Sequence, residues 1–584
     1  MTTYDAPPSH QATDRSQRYD TDRYAGAIGL NWYTSDPTLR FILAQHMSSD
    51  DLAWAEPKLS AYGAVCGDLI ARNADETDRH PPRLERYDRW GHDVSEVVLP
   101  ATFEANRDAV IAHSFSGNAV RAEAVAAGID LTLPGAASSY LLDQAEIGMM
   151  CALGTGGEMV YRLAERYAPP EVRAMLDEIA GPGGLMGETA QSFTERSGGS
   201  DLGAIETTAT PVGDVWALNG VKWFVSNANG GAWVVMARPE GAPDGVRGVA
   251  SFLVLRQRRD GTPNGVHIRR LKDKLGTRAV PSAEVEFADA EAFLLADPPG
   301  AGQANVGDGR AVSRLMQLTN AARLGIAMMG LGCARRALVE SLCYARAREA
   351  FGRPLTDQPL MRRTLADLLV DVEGAQALVF DAHARPLRMT APLAKLRAAR
   401  LGITAASTAI EVHGGNGYCE TWPVARILRD AQVNTIWEGG DNILCLDVRR
   451  AMEREQAHKP FLDNLRDAIA AGPADDPTTG LVEQRLADLE RALDGLSRLD
   501  PDVGEARLSP LAHLMCDVYT GALLVEQAGH ERRTTGTDRK ALVARLWCDR
   551  HLAPRDAVSE IIDPRNDLAR FDELVDGAFV DDRG

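Results

Sequence analysis

The sequence predicts an α+β protein of several domains, helical at both ends and β-rich in the middle. Three observations predict it. Apolar residues recur at helical spacing from Pro37 to about Pro182. Short β-rich runs separated by turns then continue to about Phe287. Helical spacing returns from Ala311 and persists almost to the C-terminus. The chain has 584 residues, enough for roughly three or four domains by length alone.

Residues 1–24 are rich in Asp, Arg, Ser, Thr and Gln and are expected to form a flexible arm. Leu39, Ile42, Leu43, Leu52, Leu59 and Val65 then mark a helical face. His80-Pro81-Pro82 and a turn from Asp88 to Asp93 separate it from a second helical block, with patterns over Ala136–Met159 and Ala164–Ile179. The texture changes at Gly181-Pro182-Gly183-Gly184. The runs from Val215, Trp223, Trp233 and Val249, with turns at Asn219-Gly220, Asn229-Gly230-Gly231 and Asp260-Gly261, have the spacing of a small antiparallel β-domain. Long amphipathic segments follow from Leu315, through Val370–Leu378 and Ala391–Val412, as in a bundle. A Gly472-to-Pro477 break then leads into further helices.

Hydrophobic content of 45% with 25% charged residues fits a soluble globular chain. The net charge of −19 argues against a general binder of nucleic acid or membrane surface, both of them anionic. From Phe461 to Gly584 there are 25 acidic and 15 basic residues, although Glu531–Arg555 is locally basic. The eight cysteines stand singly, so free thiols in a reducing cytoplasm are expected, with neither disulfides nor a metal site. No signal core and no 18-residue apolar run is apparent, so no membrane partner is expected.

Five stretches carry candidate chemistry. Phe193-Thr194-Glu195-Arg196-Ser197-Gly198-Gly199-Ser200-Asp201 offers hydroxyls and backbone N–H groups suited to a ring edge or to phosphate, though a hairpin turn also explains its glycines. Lys222-Trp223-Phe224-Val225-Ser226-Asn227 sets aromatics beside a hydroxyl and suits either a heterocycle wall or core. Arg346, Arg348 and Arg353 around Phe351 suit a pyrophosphate, or simply the C-terminus of a helix. The segment from Glu411 through Gly414, Gly415 and Gly417 holds more glycine than a cap needs. Last, Trp437-Glu438-Gly439-Gly440-Asp441-Asn442 sets a carboxylate against an indole among turn residues. Apolar surroundings raise a carboxyl pKa towards the range of a general base, while a helix N-terminus would also account for the pattern. No Gly-x-Gly-x-x-Gly follows a strand, so a Rossmann site is not indicated.

In this order, together with Lys274-Leu275-Gly276-Thr277-Arg278, these stretches resemble the acyl-CoA dehydrogenase flavoprotein family over roughly Ala136–Met452. Asn31–Pro37, His80–Asp88, Asn434–Gly439, Cys445–Val448 and the added C-terminal segment are similar to the AidB-like branch of that family. The resemblance implies an N-terminal helical domain with an AidB-like leader (25–182), a middle antiparallel β-domain (183–300), a C-terminal four-helix bundle (301–455) and an additional helical domain (456–584). It implies FAD as cofactor, and a homotetramer built as a dimer of dimers.

By position, Phe193, Thr194, Ser200, Phe224 and Ser226 would meet the flavin. Arg348 and Phe351 would reach the FAD of a neighbouring subunit, and Gly414 and Gly415 would admit a pyrophosphate. Gln358, Glu411, Trp437, Gly439, Gly440 and Asn442 fall at further cofactor positions, and Asn320, Arg323 and Glu438 at substrate positions. The implied reaction is α,β-desaturation of an acyl thioester, with Glu438 as α-proton base and hydride passing to flavin N5. Some relatives carry the base before the Arg of the bundle's first helix; here Ala322 precedes Arg323. The chain departs from the family at Pro359, where many relatives have Gln, at Gly440 for a hydroxyl residue, at Glu411 for Gln, and at Asn320 for Asp. The electron acceptor, an electron-transfer flavoprotein or oxygen, and the acyl group are left open. Two further readings compete: a flavoprotein associated with DNA and alkylation damage, and a tailoring flavoenzyme acting on a carrier-bound substrate.

Overall fold

The computed structural model describes residues 24, 26–153, 159–180, 189–296, 311–554, 557–563, 565 and 567–583. Residues 1–23 of the proposed arm and the boundaries expected at 182/183 and 300/301 lie outside the described residues; its last residue, Tyr24, is half-buried and donates to Glu340 Oε2.

Helices α1 (Pro37–His46), α2 (Ser49–Val65) and α3 (Ala71–Arg79) open the chain, with one π-helical turn, Cys66–Ile70, joining α2 to α3. Asp36 and Ser48 cap α1 and α2 by accepting from Leu39 N and Asp51 N. The Asp88–Asp93 turn closes an antiparallel hairpin, β1 (Arg83–Tyr87) with β2 (Asp93–Val98). Helical periodicity did not reveal it, because its burial alternates with period two. Next come α4 (Ala101–His113), α5 (Asn118–Ala127), α6 (Thr132–Ala145) and α7 (Ile147–Met150). The helical pattern read across Ala136–Met159 breaks at Glu146, which is extended and caps α7 through Gly148 N at 2.8 Å. Helices α8 (Met159–Tyr167) and α9 (Pro170–Ala180) complete this part.

The β-rich stretch comprises β3 (Thr189–Ser192), β4 (Thr208–Val212), β5 (Val215–Ser226), β6 (Ala232–Pro239), β7 (Ala250–Leu255), β8 (Val266–Leu271) and β9 (Ser282–Leu294). Pairings β6–β4, β4–β5, β5–β9, β9–β7 and β7–β6 close the sheet into a ring. The β3–β6 and β4–β6 pairs are parallel and the rest antiparallel. Closure hides the edges of the ring strands, while β3 on β6 and β8 on β9 each pair on one side only. The β5–β9 register shifts between Lys222 and Val225, so Trp223 and Phe224 sit at an irregularity that re-aims side chains.

Three long helices follow: α10 (Ala311–Ala347), α11 (Pro359–Ala384) and α12 (Thr390–His413). A two-residue hairpin, β10 (Glu349–Ala350) with β11 (Arg353–Pro354), links the first two. Helices α13 (Pro423–Ala431) and α14 (Asp441–Glu455) pack on α12. The C-terminal segment adds α15 (His458–Ala470), α16 (Pro477–Leu496), α17 (Pro501–Ala506), α18 (Leu508–Thr534) and α19 (Arg539–His551). It shares one hydrophobic core with the bundle and the N-terminal helices. Helix α18 is, among the described residues, long and apolar enough to cross a membrane, a run the sequence reading missed. It lies inside the protein, with 72% of its apolar window buried.

Buried charge locks these parts together. Arg335 of α10 pairs with Asp36 at 3.2 Å and donates to Ser35 O and Ala578 O, joining leader, bundle and C-terminus. Glu373 of α11 accepts from Arg539 Nη1 at 3.1 Å and from Lys540 Nζ at 2.7 Å. All eight cysteines are free, seven of them buried and Cys419 exposed.

Candidate active site

Glu438 lies on the turn between α13 and α14, with φ +54°. Of the seven described non-glycine residues at positive φ, four fall in the motifs read from the sequence: Asn227, Thr277, Phe351 and Glu438. Such conformations cost energy and collect where function needs them. Gly439 follows at φ +99°, and a Cβ there would meet Ile443 Cγ2 at 2.9 Å, so glycine is required.

Two buried cations hold this turn. Arg323 Nε of α10 donates to Glu438 O at 3.2 Å, and Lys395 Nζ of α12 donates to Gly439 O. Arg323 Nη1 also binds Asp447 Oδ2 at 2.6 Å and Asn320 Oδ1 at 3.4 Å. Asp447 takes Arg388 as well, at 3.0 and 2.6 Å. Burial would raise Asp447, but the two guanidiniums outweigh it and hold the carboxyl below its usual range. Trp437 packs against the core, its Nε1 donating to Asn434 Oδ1 at 3.2 Å.

Among the described residues, neither the Glu438 carboxylate nor its backbone N–H has a protein hydrogen-bond partner. Burial pushes the carboxyl pKa up, and Arg323 and Lys395 restrain the rise. That is an acid–base group kept in reserve. Gly440 precedes α14 as its N-cap, and Asn442, in the first turn, is exposed.

A second group assembles on the β-sheet. Trp223 N donates to Thr194 O at 2.8 Å, tying the 193–201 loop to β5. Beneath them Lys222 Nζ binds Glu195 Oε1 at 2.5 Å and Met236 O at 2.6 Å, both charges buried. Glu195 also accepts from Glu206 N and Thr207 N. Burial opposes its ionisation, yet Lys222 keeps it below the usual carboxylate range. Phe193 is half-buried, Ser200 exposed, Phe224 51% exposed, and Ser226 Oγ lies 3.0 Å from Ser282 Oγ.

The remaining residues gather elsewhere. Phe351, 98% exposed, tips the β10–β11 hairpin, and Gln358 braces that hairpin through Ala350 O and Arg353, both at 3.0 Å. Gly414 (φ +59°) and Gly415 leave open space where a side chain would stand, and Glu411 is exposed beside them. Tyr344 stacks on His413 at 4.3 Å, so Arg348 after α10 and Gly414 after α12 share one end of the bundle. Eighteen residues of helix separate His413 from Lys395, about 27 Å at 1.5 Å per residue. Glu438 and Gly414 therefore stand at opposite ends of α12.

These groups fit a flavin dinucleotide in kind. The sheet group offers hydroxyls and an exposed ring to a flat heterocycle, while the hairpin group offers a guanidinium and open glycine backbone to a pyrophosphate.

Comparison with known proteins agrees with this arrangement. Residues 25–175 match the adaptive response protein AidB N-terminal domain, 190–290 the acyl-CoA dehydrogenase middle domain, and 308–453 the acyl-CoA dehydrogenase C-terminal domain. AidB of Escherichia coli strain K12 is 30% identical over 92% of this chain and 95% of its own length. The chain belongs to the acyl-CoA dehydrogenase family. Its members are FAD-dependent oxidoreductases, and FAD is the cofactor that membership brings to this one. The AidB match places it with the AidB-like members. Among solved structures, Caenorhabditis elegans ACDH-11 in complex with C11-CoA superposes with TM-score 0.81 at 24% identity, over 95% of this chain and 98% of that one. An acyl-CoA dehydrogenase from Bacillus anthracis complexed with FAD gives 0.70 at 17% identity, over 92% and 96%. At those identities the likeness is of fold.

Sequence reasoning missed Lys395, Asp447 and Arg388, and gave the Lys222–Glu195 pair no role. Lys395 had a signal: one of seven lysines, it interrupts the apolar run Leu393-Ala394-Lys395-Leu396.

Proposed function

We propose that this family member catalyses α,β-dehydrogenation of an acyl thioester, with Glu438 as the base that removes the α-proton. The observation that carries the reading is the Glu438 carboxyl group, its pKa raised by burial, without a hydrogen-bond partner among the described residues, on a turn held through its backbone from two helices. An α C–H beside a thioester becomes acidic only when the carbonyl oxygen is hydrogen-bonded. The unpartnered Glu438 N–H supplies one donor at the same turn. Trp437, packed on the core one residue before Glu438, would give the site an apolar wall. When bound, FAD supplies the acceptor for the hydride leaving the β-carbon. Phe193, Thr194, Ser200, Phe224 and Ser226 would hold its ring.

Arg348, Phe351, Gly414 and Gly415 stand too far along the bundle to serve the ring beside their own Glu438. The separation supports their closing the FAD of a neighbouring subunit, in a homotetramer. Asn320 and Arg323 remain at the substrate side. The complex of ACDH-11 with C11-CoA favours an acyl-CoA as the first substrate to try. Full-length protein loaded with FAD is mixed anaerobically with saturated acyl-CoAs from short to long chain. Bleaching of the flavin by one of them is expected; no bleaching by any overturns the reading.

The DNA-associated reading drew on the basic stretch Glu531–Arg555. There Arg539 and Lys540 are buried on Glu373, Arg550 pairs with Asp367 at 2.9 Å, and Arg533 donates to Ala471 O. Arg539, Lys540 and Arg550 hold the C-terminal segment on the bundle, the first two buried, while Arg533 stays exposed and braces the segment itself.

A further inference from the structure

We propose that Lys395 is a positioning residue for the reaction, one that fixes the Glu438–Gly439 turn and keeps Glu438 ionised through its charge. The inference rests on the reading of Glu438 as base.

Lys395 is fully buried on α12 between Ala394 and Leu396, both also buried. An ammonium there costs several kcal/mol unless charge or hydrogen bonds compensate. It has three N–H groups, and its one protein acceptor among the described residues is Gly439 O. The charged groups facing it are Asp441 and Glu438 from the turn and α14, Arg323 from α10, and Arg400 from its own helix.

Pairing these charges leaves two over. Arg323 and Arg388 share Asp447, and Arg388 also takes Glu455 at 3.1 Å. Arg400 takes Asp441 at 2.7 Å. Lys395 and Glu438 remain without an ion pair among the described residues; Asp441 and then Glu438 are the acidic groups that act on Lys395, and Arg323 and then Lys395 the cations that act on Glu438. Once Glu438 accepts the α-proton and becomes neutral, the Lys395 charge acts on the negative charge developing at the acyl group. A neutral donor would hold the Gly439 carbonyl equally well, so the charge is what a test must isolate.

The test uses the full-length, FAD-loaded protein and its Lys395→Met, Lys395→Arg and Glu438→Gln variants. Infrared pH titration, with the Glu438→Gln spectrum subtracted, reads the ionisation of Glu438 without substrate. In Lys395→Met the midpoint is expected to rise by about one pH unit, the usual size of a lost neighbouring charge. In Lys395→Arg it is expected to stay in place. Should Lys395→Met not fold, Lys395→Gln, which keeps a neutral donor, gives the same readout. In flavin reduction by C11 acyl-CoA, the acid limb of kcat/KM follows the same shift. Burial pushes Lys395 down to about 8, so wild type should also lose rate above that pH while Lys395→Arg does not. A Glu438 midpoint unmoved in Lys395→Met overturns the proposal. Failure of the underlying reading shows separately, as bleaching that persists in Glu438→Gln.

Discussion

The guanidinium of Arg323 donates from Nε to the backbone carbonyl of Glu438 at 3.2 Å while its Nη1 grips Asp447 at 2.6 Å. One buried side chain thus couples the first helix of the bundle to the turn that bears Glu438, the proposed base, and to the helix beyond it. The turn is held through its backbone, and among the described residues the Glu438 side chain has no hydrogen-bond partner.

Arg323→Leu should therefore lower the rate of flavin reduction by about 100-fold, the usual penalty for a reacting group displaced by an ångström. FAD content should stay near that of wild type, because the residues proposed to hold the flavin ring lie on the sheet, not on the helix that carries Arg323. Stopped-flow reduction and flavin absorbance check the two halves. Loss of FAD at unchanged rate would contradict the arrangement.

Glu373 joins the C-terminal helices to the bundle. Burial would raise its carboxyl, but Arg539 and Lys540 bring it down to about 2. A depressed carboxyl contributes stability above its unfolded pKa, about 4.3, and the contribution is lost as pH falls from there towards 2. Glu373→Gln leaves two buried cations unbalanced and should cost about 3 kcal/mol at neutral pH. The gap between wild type and variant in urea unfolding should narrow below about pH 4.

Phe351 stands 98% exposed on its hairpin. Its truncation to Ala should change the stability of the chain by no more than about 0.5 kcal/mol. If it completes a neighbour's FAD site, FAD affinity should nevertheless fall about tenfold, as read by equilibrium dialysis of the flavin. Unchanged FAD affinity would exclude that contact.

DNA affinity at physiological salt should be weak, with a shallow dependence on salt concentration, because the chain carries a net charge of −19 and Arg539 and Lys540 of Glu531–Arg555 are buried on Glu373. Fluorescence anisotropy across a salt series checks it. Tight binding with a steep slope, abolished by charge reversal in that stretch, would revive the DNA-associated reading.

Much of this was legible in the sequence. The order helical, β-rich, helical followed from periodicity, because each part has one face in a core and must repeat at its own spacing. The Glu438 turn announced itself through glycines beside a carboxylate and an indole. What escaped were relationships between distant residues. Nothing local says that Lys395 meets Gly439, or that Asp447 is shared by Arg323 and Arg388; those pairings exist only once the helices pack. The β1–β2 hairpin was missed because Arg83–Tyr87 alternates Arg and Glu with a few apolar residues, giving a weak period-two signal. The apolar window of α18 went unseen because polar residues interrupt it. The separation of the candidate residues at Glu438 and Gly414 between the two ends of α12 needed the length of that helix.

The most direct measurement is anaerobic flavin reduction by an acyl-CoA that bleaches the wild-type protein, repeated with Glu438→Gln. The amide keeps the shape and the backbone of the turn and removes only the base. The account predicts a loss of at least about 100-fold in the reduction rate with FAD still bound. Reduction at the wild-type rate in Glu438→Gln would contradict it.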